Sequence, residues 1–167
     1  GEHLVEEALK YNLIKELIVL EEINKYPNNI KTTIVTKEVM KKLSNMDSYP
    51  KVIGVCNKKE VEKISGNIII LEDIQDPGNL GTIIRSALGF KIDQIIMSPT
   101  CCDCYNEKVV RSTQGGIFKV GLVKQDLLSA ISELKNLGVT ILGTSLTGEV
   151  FDKLPKLNKY AIILGNE

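Results

Sequence analysis

The sequence predicts an α/β protein in two parts, a small α/β unit over residues 1–64 followed by a mostly parallel-sheet domain over 65–167. Three observations support this. Along the second part, apolar runs of strand length alternate with amphipathic stretches of helix length, the pattern of strand-helix-strand crossovers in a parallel sheet. Those runs are almost continuously apolar, as strands covered on both faces are. The chain also turns polar from Glu60 to Asn67 before its strongest apolar run, Ile68-Ile69-Ile70-Leu71, which sets the boundary near residue 64.

The first segment, Glu2-His3-Leu4-Val5-Glu6-Glu7-Ala8-Leu9, places apolar residues at helical spacing among acids that favour a helix start. β-branched runs predict strands over 17–20, 33–35 and 52–55, and Thr36 caps a helix expected over 36–43. In the second part strands are expected over 68–71, 94–97, 118–123, 139–145 and 160–164. A sharp turn at Pro77-Gly78 precedes a helix over 79–88, and a helix over 126–137 stops at Gly138.

With 43% hydrophobic and 25% charged residues, the chain of 167 residues has an ordinary globular balance and is expected to fold throughout. No apolar stretch reaches the roughly 18 to 20 residues needed to cross a bilayer, and no basic segment followed by an apolar one stands at the start, so a cytoplasmic protein is expected. A formal net charge of zero argues against bulk electrostatic capture of nucleic acid, so any RNA contact must come from local patches. Of the 21 basic residues only two, Arg85 and Arg111, are arginine, and both lie in the two most unusual segments. A planar, multidentate cation is the reason to place arginine where lysine serves elsewhere.

The most informative segment runs from Leu71 to Ala87. It leaves a buried strand and enters a helix whose apolar face is Leu80, Ile83, Ile84, Ala87 and Leu88. At about 100° per residue, Asn79, Thr82, Arg85 and Ser86 take the polar side. Ligands of open α/β sheets bind beyond the carboxyl ends of strands, where this segment lies. The same residues read equally well as a helix capped by Asn79, with Gly81 relieving crowding and Arg85 a solvated cation. A dinucleotide or phosphate-loop fold is the weaker alternative, because neither Gly-x-Gly-x-x-Gly nor Gly-Lys-Ser/Thr is present.

Asp76-Pro77-Gly78-Asn79-Leu80-Gly81-Thr82-Ile83-Ile84-Arg85-Ser86-Ala87 resembles the first signature motif of the SpoU branch of the SPOUT methyltransferase superfamily. Lys108-Val109-Val110-Arg111-Ser112-Thr113-Gln114-Gly115-Gly116-Ile117-Phe118 is similar to the family's Ser-x-Gly segment, and Ile162-Ile163-Leu164-Gly165-Asn166-Glu167 to its second motif. The start, Gly1 to Ala8, resembles the small substrate-binding domain that many members carry, which is similar to an RNA-binding ribosomal-protein fold.

This resemblance implies transfer of a methyl group from S-adenosylmethionine to a ribose 2′-hydroxyl of structured RNA, with ribosomal RNA favoured over transfer RNA and a noncatalytic RNA-binding fragment as the alternative. It implies catalytic roles for Arg85, Asn79 and Glu167. Thr144, Ser145, Leu146, Leu164, Gly165 and Asn166 would hold the cofactor, and Arg85, Arg111 and Ser112 the RNA. It further implies a trefoil-knot fold and a homodimer. The family continues past the Gly-x-Glu loop into a third motif that completes the knot, so the sequence, ending at Glu167, reads as lacking that segment.

Other features carry less. Cys101-Cys102-Asp103-Cys104 contains a Cys-x-x-Cys pair, but no second pair or nearby histidine completes a four-ligand zinc site, so no metal is expected and free thiols are favoured over disulfides. His3 is read as a surface or interdomain contact. Before residue 65, 11 lysines face 10 acids, which describes a solvated surface rather than a basic patch.

Overall fold

The computed structural model describes residues 1–21, 24–44, 48–145, 148 and 153–165. The chain parts into two compact units, 1–59 and 60–167. Residues 60–65 go with the second unit for a local reason. The Gln94 side chain donates to Lys63 O at 2.7 Å and accepts from Ser65 N at 3.1 Å, and Ile64 packs against the second unit's core.

The first unit contains helix α1 (Glu2–Lys10), strands β1 (Ile14–Val19) and β2 (Lys31–Ile34), helix α2 (Lys37–Leu43) and strand β3 (Val52–Cys56). Its sheet has the order β2-β1-β3, parallel between β1 and β2 and antiparallel between β1 and β3. Val5, Leu17, Val19, Tyr26 and Val52 form the core. Thr36 caps α2 as expected, its side chain accepting from Val39 N.

The second unit contains β4 (Ile68–Leu71), α3 (Pro77–Gly89), β5 (Gln94–Met97), α4 (Glu107–Ser112), a 3-10 turn at Gly116–Phe118, β6 (Gly121–Lys124), α5 (Leu127–Asn136), β7 (Thr140–Gly143) and β8 (Tyr160–Leu164). The sheet order is β6-β5-β4-β8-β7 and every pairing is parallel, as the alternation of elements predicts. Residues of β4 and β5 alternate between two cores, one per face. Leu71, Ile95 and Met97 pack with Leu80, Ile84 and Ala87 of α3 and Val109 of α4. Ile68, Ile70 and Ile96 pack with Ala130 and Leu134 of α5 and Ala161 of β8.

Two expectations need correction. Pro77-Gly78 is not a turn ahead of the helix but its first two residues, because Asp76 serves as N-cap and proline suits the first helical position, where no N–H is needed. The strand expected over 118–123 begins only at Gly121. Gln114 (φ 50°) and Gly115 (φ 93°) turn the chain left-handed after α4, and the 3-10 turn consumes Gly116 to Phe118. The remaining strands and helices stand within a few residues of their expected positions, and those over 68–71, 94–97 and 160–164 coincide.

Candidate active site

Segment 76–87 acquires its geometry from its own residues. The Asp76 carboxylate accepts from Asn79 N at 2.8 Å, which satisfies one of the orphan donors of the first helical turn. That hydrogen bond holds the Asp76 carboxyl below the usual range, with a smaller contribution from Lys108, whose Nζ lies 3.7 Å away. Asn79 is therefore a first-turn residue rather than the cap, and its side chain is exposed. Thr82 is exposed and donates to Gly78 O at 2.9 Å. Arg85 is exposed and forms no hydrogen bond or ion pair with any described residue.

The second segment lies directly on the first. A Cβ at Gly81 would fall 2.4 Å from Ser112 Cβ and 2.9 Å from Val109 O, so α4 approaches α3 where α3 has no side chain. A Cβ at Gly116 would fall 3.3 Å from Ile84 O, which brings the next part of the segment just as close. Arg85 stands one helical turn beyond Gly81, about 40° around the axis. The region from Ser112 to Gly116 thus flanks it. Ser112 Oγ donates to Lys108 O at 2.8 Å, and Arg111 pairs with Glu107 one turn earlier on α4.

At the other strand ends, β7 and β8 lie side by side with Gly143 opposite Ile163, and Thr144 Oγ1 donates to Ile163 O at 3.3 Å. Thr144, Ser145 and Gly165 are exposed, while Leu164 is half-buried against the α3-side core. Among the described residues, a Cβ at Gly143 would meet nothing within 4 Å, and one at Gly165 only Glu72 Oε2 at 3.8 Å. Among the described residues these strand ends present bare backbone, which a flat ring can approach closely. Leu146, Asn166 and Glu167 lie outside the described residues.

A cleft of about 620 Å³ opens at the carboxyl edge, lined by the ends of β4 (Glu72, Asp73) and β5 (Ser98 to Thr100), by Ile163, and by the start of α5. Its walls include the carboxylates Glu72, Asp73 and Asp126 and no lysine or arginine. It opens on the α5 side of the sheet, whereas α3 covers the other face, and Arg85 is not among its lining residues. Sequence reasoning expected Arg85 to face a pocket built by the closing strand ends. Leu146, Asn166 and Glu167, which that pocket would include, lie outside the described residues.

Sequence reasoning missed the polar residues that join the loops after β4 and β5: Asp73, Gln75, Ser98, Thr100 and Cys101. A signal was present. Both buried strands end in short polar runs at the edge where such sheets bind ligands. The cysteines were read as free thiols, and all four are free, but Cys101 also takes part in this junction.

The second unit is a parallel α/β domain in which these two segments pack against each other. Residues 66–167 match the family described as SpoU rRNA Methylase. The chain belongs to that family. It is 34% identical over 175 residues to the 23S rRNA (guanosine(2553)-2'-O)-methyltransferase RlmP of Bacillus subtilis (strain 168), covering all of this chain and 70% of that protein. It is 27% identical over 140 residues to the mitochondrial rRNA methyltransferase 3 of Mus musculus, covering 74% of this chain and 34% of that protein. Among solved structures, a TrmH-family RNA methyltransferase from Porphyromonas gingivalis shares the fold with a TM-score of 0.86 at 21% identity, covering 99% of this chain and 70% of that one. The SpoU methyltransferase AviRb from Streptomyces viridochromogenes, solved in complex with AdoMet, does so with a TM-score of 0.83 at 18% identity, covering 100% and 72%.

Proposed function

We propose that this protein transfers a methyl group from S-adenosylmethionine to a ribose 2′-hydroxyl of ribosomal RNA. The observation that carries the reading is the packing of the 108–118 segment onto the 76–87 segment at Gly81, within a domain that matches the SpoU family over residues 66–167. When bound, the cofactor supplies an electrophilic methyl group. This chain's residues must orient the acceptor and accommodate the charge that develops on its oxygen.

Arg85 is the residue proposed for that charge. Arginine keeps its proton too firmly to be a good unaided base, but its forked donors suit a phosphate and a developing alkoxide. Its exposure, and its lack of a partner among the described residues, leave those donors available to RNA. Arg111 offers the guanidinium donors that Glu107 does not use, and Ser112 seats α4 on α3. Asn79, in the first turn of α3, is proposed to support Arg85, and Glu167 to help order the site.

Thr144, Ser145, Leu146, Leu164, Gly165 and Asn166 are proposed to hold the cofactor. The open backbone around Gly143 and Gly165 supports this. The first unit is proposed to bind RNA, and the protein to act in the cytoplasm as a homodimer. No helix among the described residues is long and apolar enough to cross a membrane.

The test is incubation of the protein with S-adenosylmethionine and ribosomal RNA, followed by mass-spectrometric mapping of modified nucleosides. A 2′-O-methylated nucleotide is expected. Methylation of a base alone, or of transfer RNA alone, would refute the proposal.

A further inference from the structure

The loop between β4 and α3 carries the polar run Glu72-Asp73-Ile74-Gln75 and sets where Asp76 starts the arginine-bearing helix. Its backbone does not support itself. Asp73 is held at φ 59°, a left-handed conformation that a residue other than glycine adopts at a cost. Nearly every polar group that restrains this loop comes from the loop after β5.

Ser98 is 6% exposed, and its hydroxyl accepts from Asp73 N at 3.1 Å. The same hydroxyl lies 2.8 Å from Thr100 Oγ1 and 3.4 Å from Cys101 Sγ. Cys101, 3% exposed, accepts from Ile74 N at 3.3 Å and donates to Leu71 O at 3.5 Å. Cys102 N donates to Ile74 O at 2.9 Å. Gln75 Nε2 bridges Asp73 Oδ1 at 3.0 Å and Thr100 O at 2.8 Å. Lys124, at the end of β6, donates to Cys101 O at 2.7 Å and so ties in a third strand end.

One assignment of hydrogens satisfies the whole set. Thr100 donates to Ser98, Ser98 donates to the Cys101 sulfur, and Cys101 donates to Leu71 O, while the amides of Asp73 and Ile74 donate into the chain. At the buried end of this junction, Ser98 and Cys101, a polar group left without its partner carries a desolvation cost, which favours one loop geometry.

We propose that Ser98 and Gln75, acting with Cys101, are positioning residues for the methyl transfer. They clamp the β4–α3 loop in its left-handed turn and thereby set the placement of Asn79 and Arg85 relative to the strand ends. Neither residue need touch RNA or cofactor. The proposal rests on the functional reading above.

The test uses the full chain of the protein, with kcat and KM measured for ribosomal RNA methylation and amide exchange followed by NMR. Ser98→Ala is expected to lower kcat about 10- to 100-fold with KM for S-adenosylmethionine changed less than about twofold, and Ser98→Thr, which keeps the hydroxyl, to restore turnover. Gln75 is exposed, so Gln75→Ala threatens folding less and is expected to show the same kcat-weighted loss. Faster exchange of the Asp73 amide in Ser98→Ala reads the clamp without reference to activity. Wild-type turnover in both alanine variants, a loss that threonine does not restore, or an Asp73 amide equally protected without the Ser98 hydroxyl overturns the proposal. A wild-type protein that methylates no ribosomal RNA overturns the functional reading instead, while the exchange result still judges the clamp.

Discussion

Gly81 and Ser112 define the contact between α3 and α4: a Cβ at position 81 would sit 2.4 Å from the serine Cβ, closer than packed atoms come. The glycine is there because another helix occupies the place of its side chain. Backbone crowding at Val109 O, 2.9 Å away, leaves that helix no room to yield. Two segments that the sequence separates by some twenty residues are thereby fixed against each other.

Gly81→Ala is therefore expected to destabilise the protein by about 1–3 kcal/mol through overpacking, outweighing the helix-propensity gain of about 1 kcal/mol. Gly89→Ala is the matched control. It lies in the same helix with nothing within 4 Å of a Cβ, and is expected to stabilise by about 0.5–1 kcal/mol. Urea midpoints of the two variants check both signs.

Arg85→Ala and Arg85→Lys are expected to lower kcat roughly 100- to 1,000-fold while leaving the thermal midpoint unmoved. The side chain is exposed and bonded to no described residue, so the fold does not depend on it. Near-normal turnover in the lysine variant would mean that a point charge suffices and that forked geometry is irrelevant.

Asp76 and Asp126 cap α3 and α5, and hydrogen bonds from Asn79 N and Ser129 N hold their carboxyls below the usual range. A carboxyl whose pKa is lowered by folding contributes stability above its unfolded pKa of about 3.9, and that contribution disappears as pH falls through the lower folded value. The Asp76→Asn, Asp126→Asn double variant, which keeps capping side chains, is expected to lose less stability than the wild type below about pH 4. Chemical denaturation between pH 6 and pH 3 measures the difference.

Burial raises the thiol pKa of Cys102 and of Cys56, and Cys101 and Cys104 are buried. All four thiols are expected to react with Ellman's reagent at pH 8 at least about tenfold more slowly in the native protein than in guanidinium, since the thiolate is the reacting species. One fast-reacting thiol in the native protein would contradict this packing.

Much of the architecture was legible along the chain. Ile68 to Leu71, Gln94 to Met97 and Tyr160 to Leu164 are apolar on both faces, which only a covered parallel strand requires, and their bounds coincide with observation. Thr36 announced its helix start through chemistry local to the chain. The 76–87 segment was visible because its residue types and offsets are unusual in themselves. Within that segment the helix start was misjudged by two residues, since Pro77-Gly78 suits a turn and a first helical turn equally and only the Asp76 cap decides between them.

The amino-acid sequence by itself determined most of the strands, the longer helices and the family, because each depends on periodicity, capping or residue identity within a short stretch. The tertiary structure alone decided that Ser112 seats against Gly81 and that Ser98 and Cys101 hold the Asp73 turn. Those relationships join residues that are distant in sequence. They exist only once the parallel strands have closed and brought their carboxyl ends to one edge.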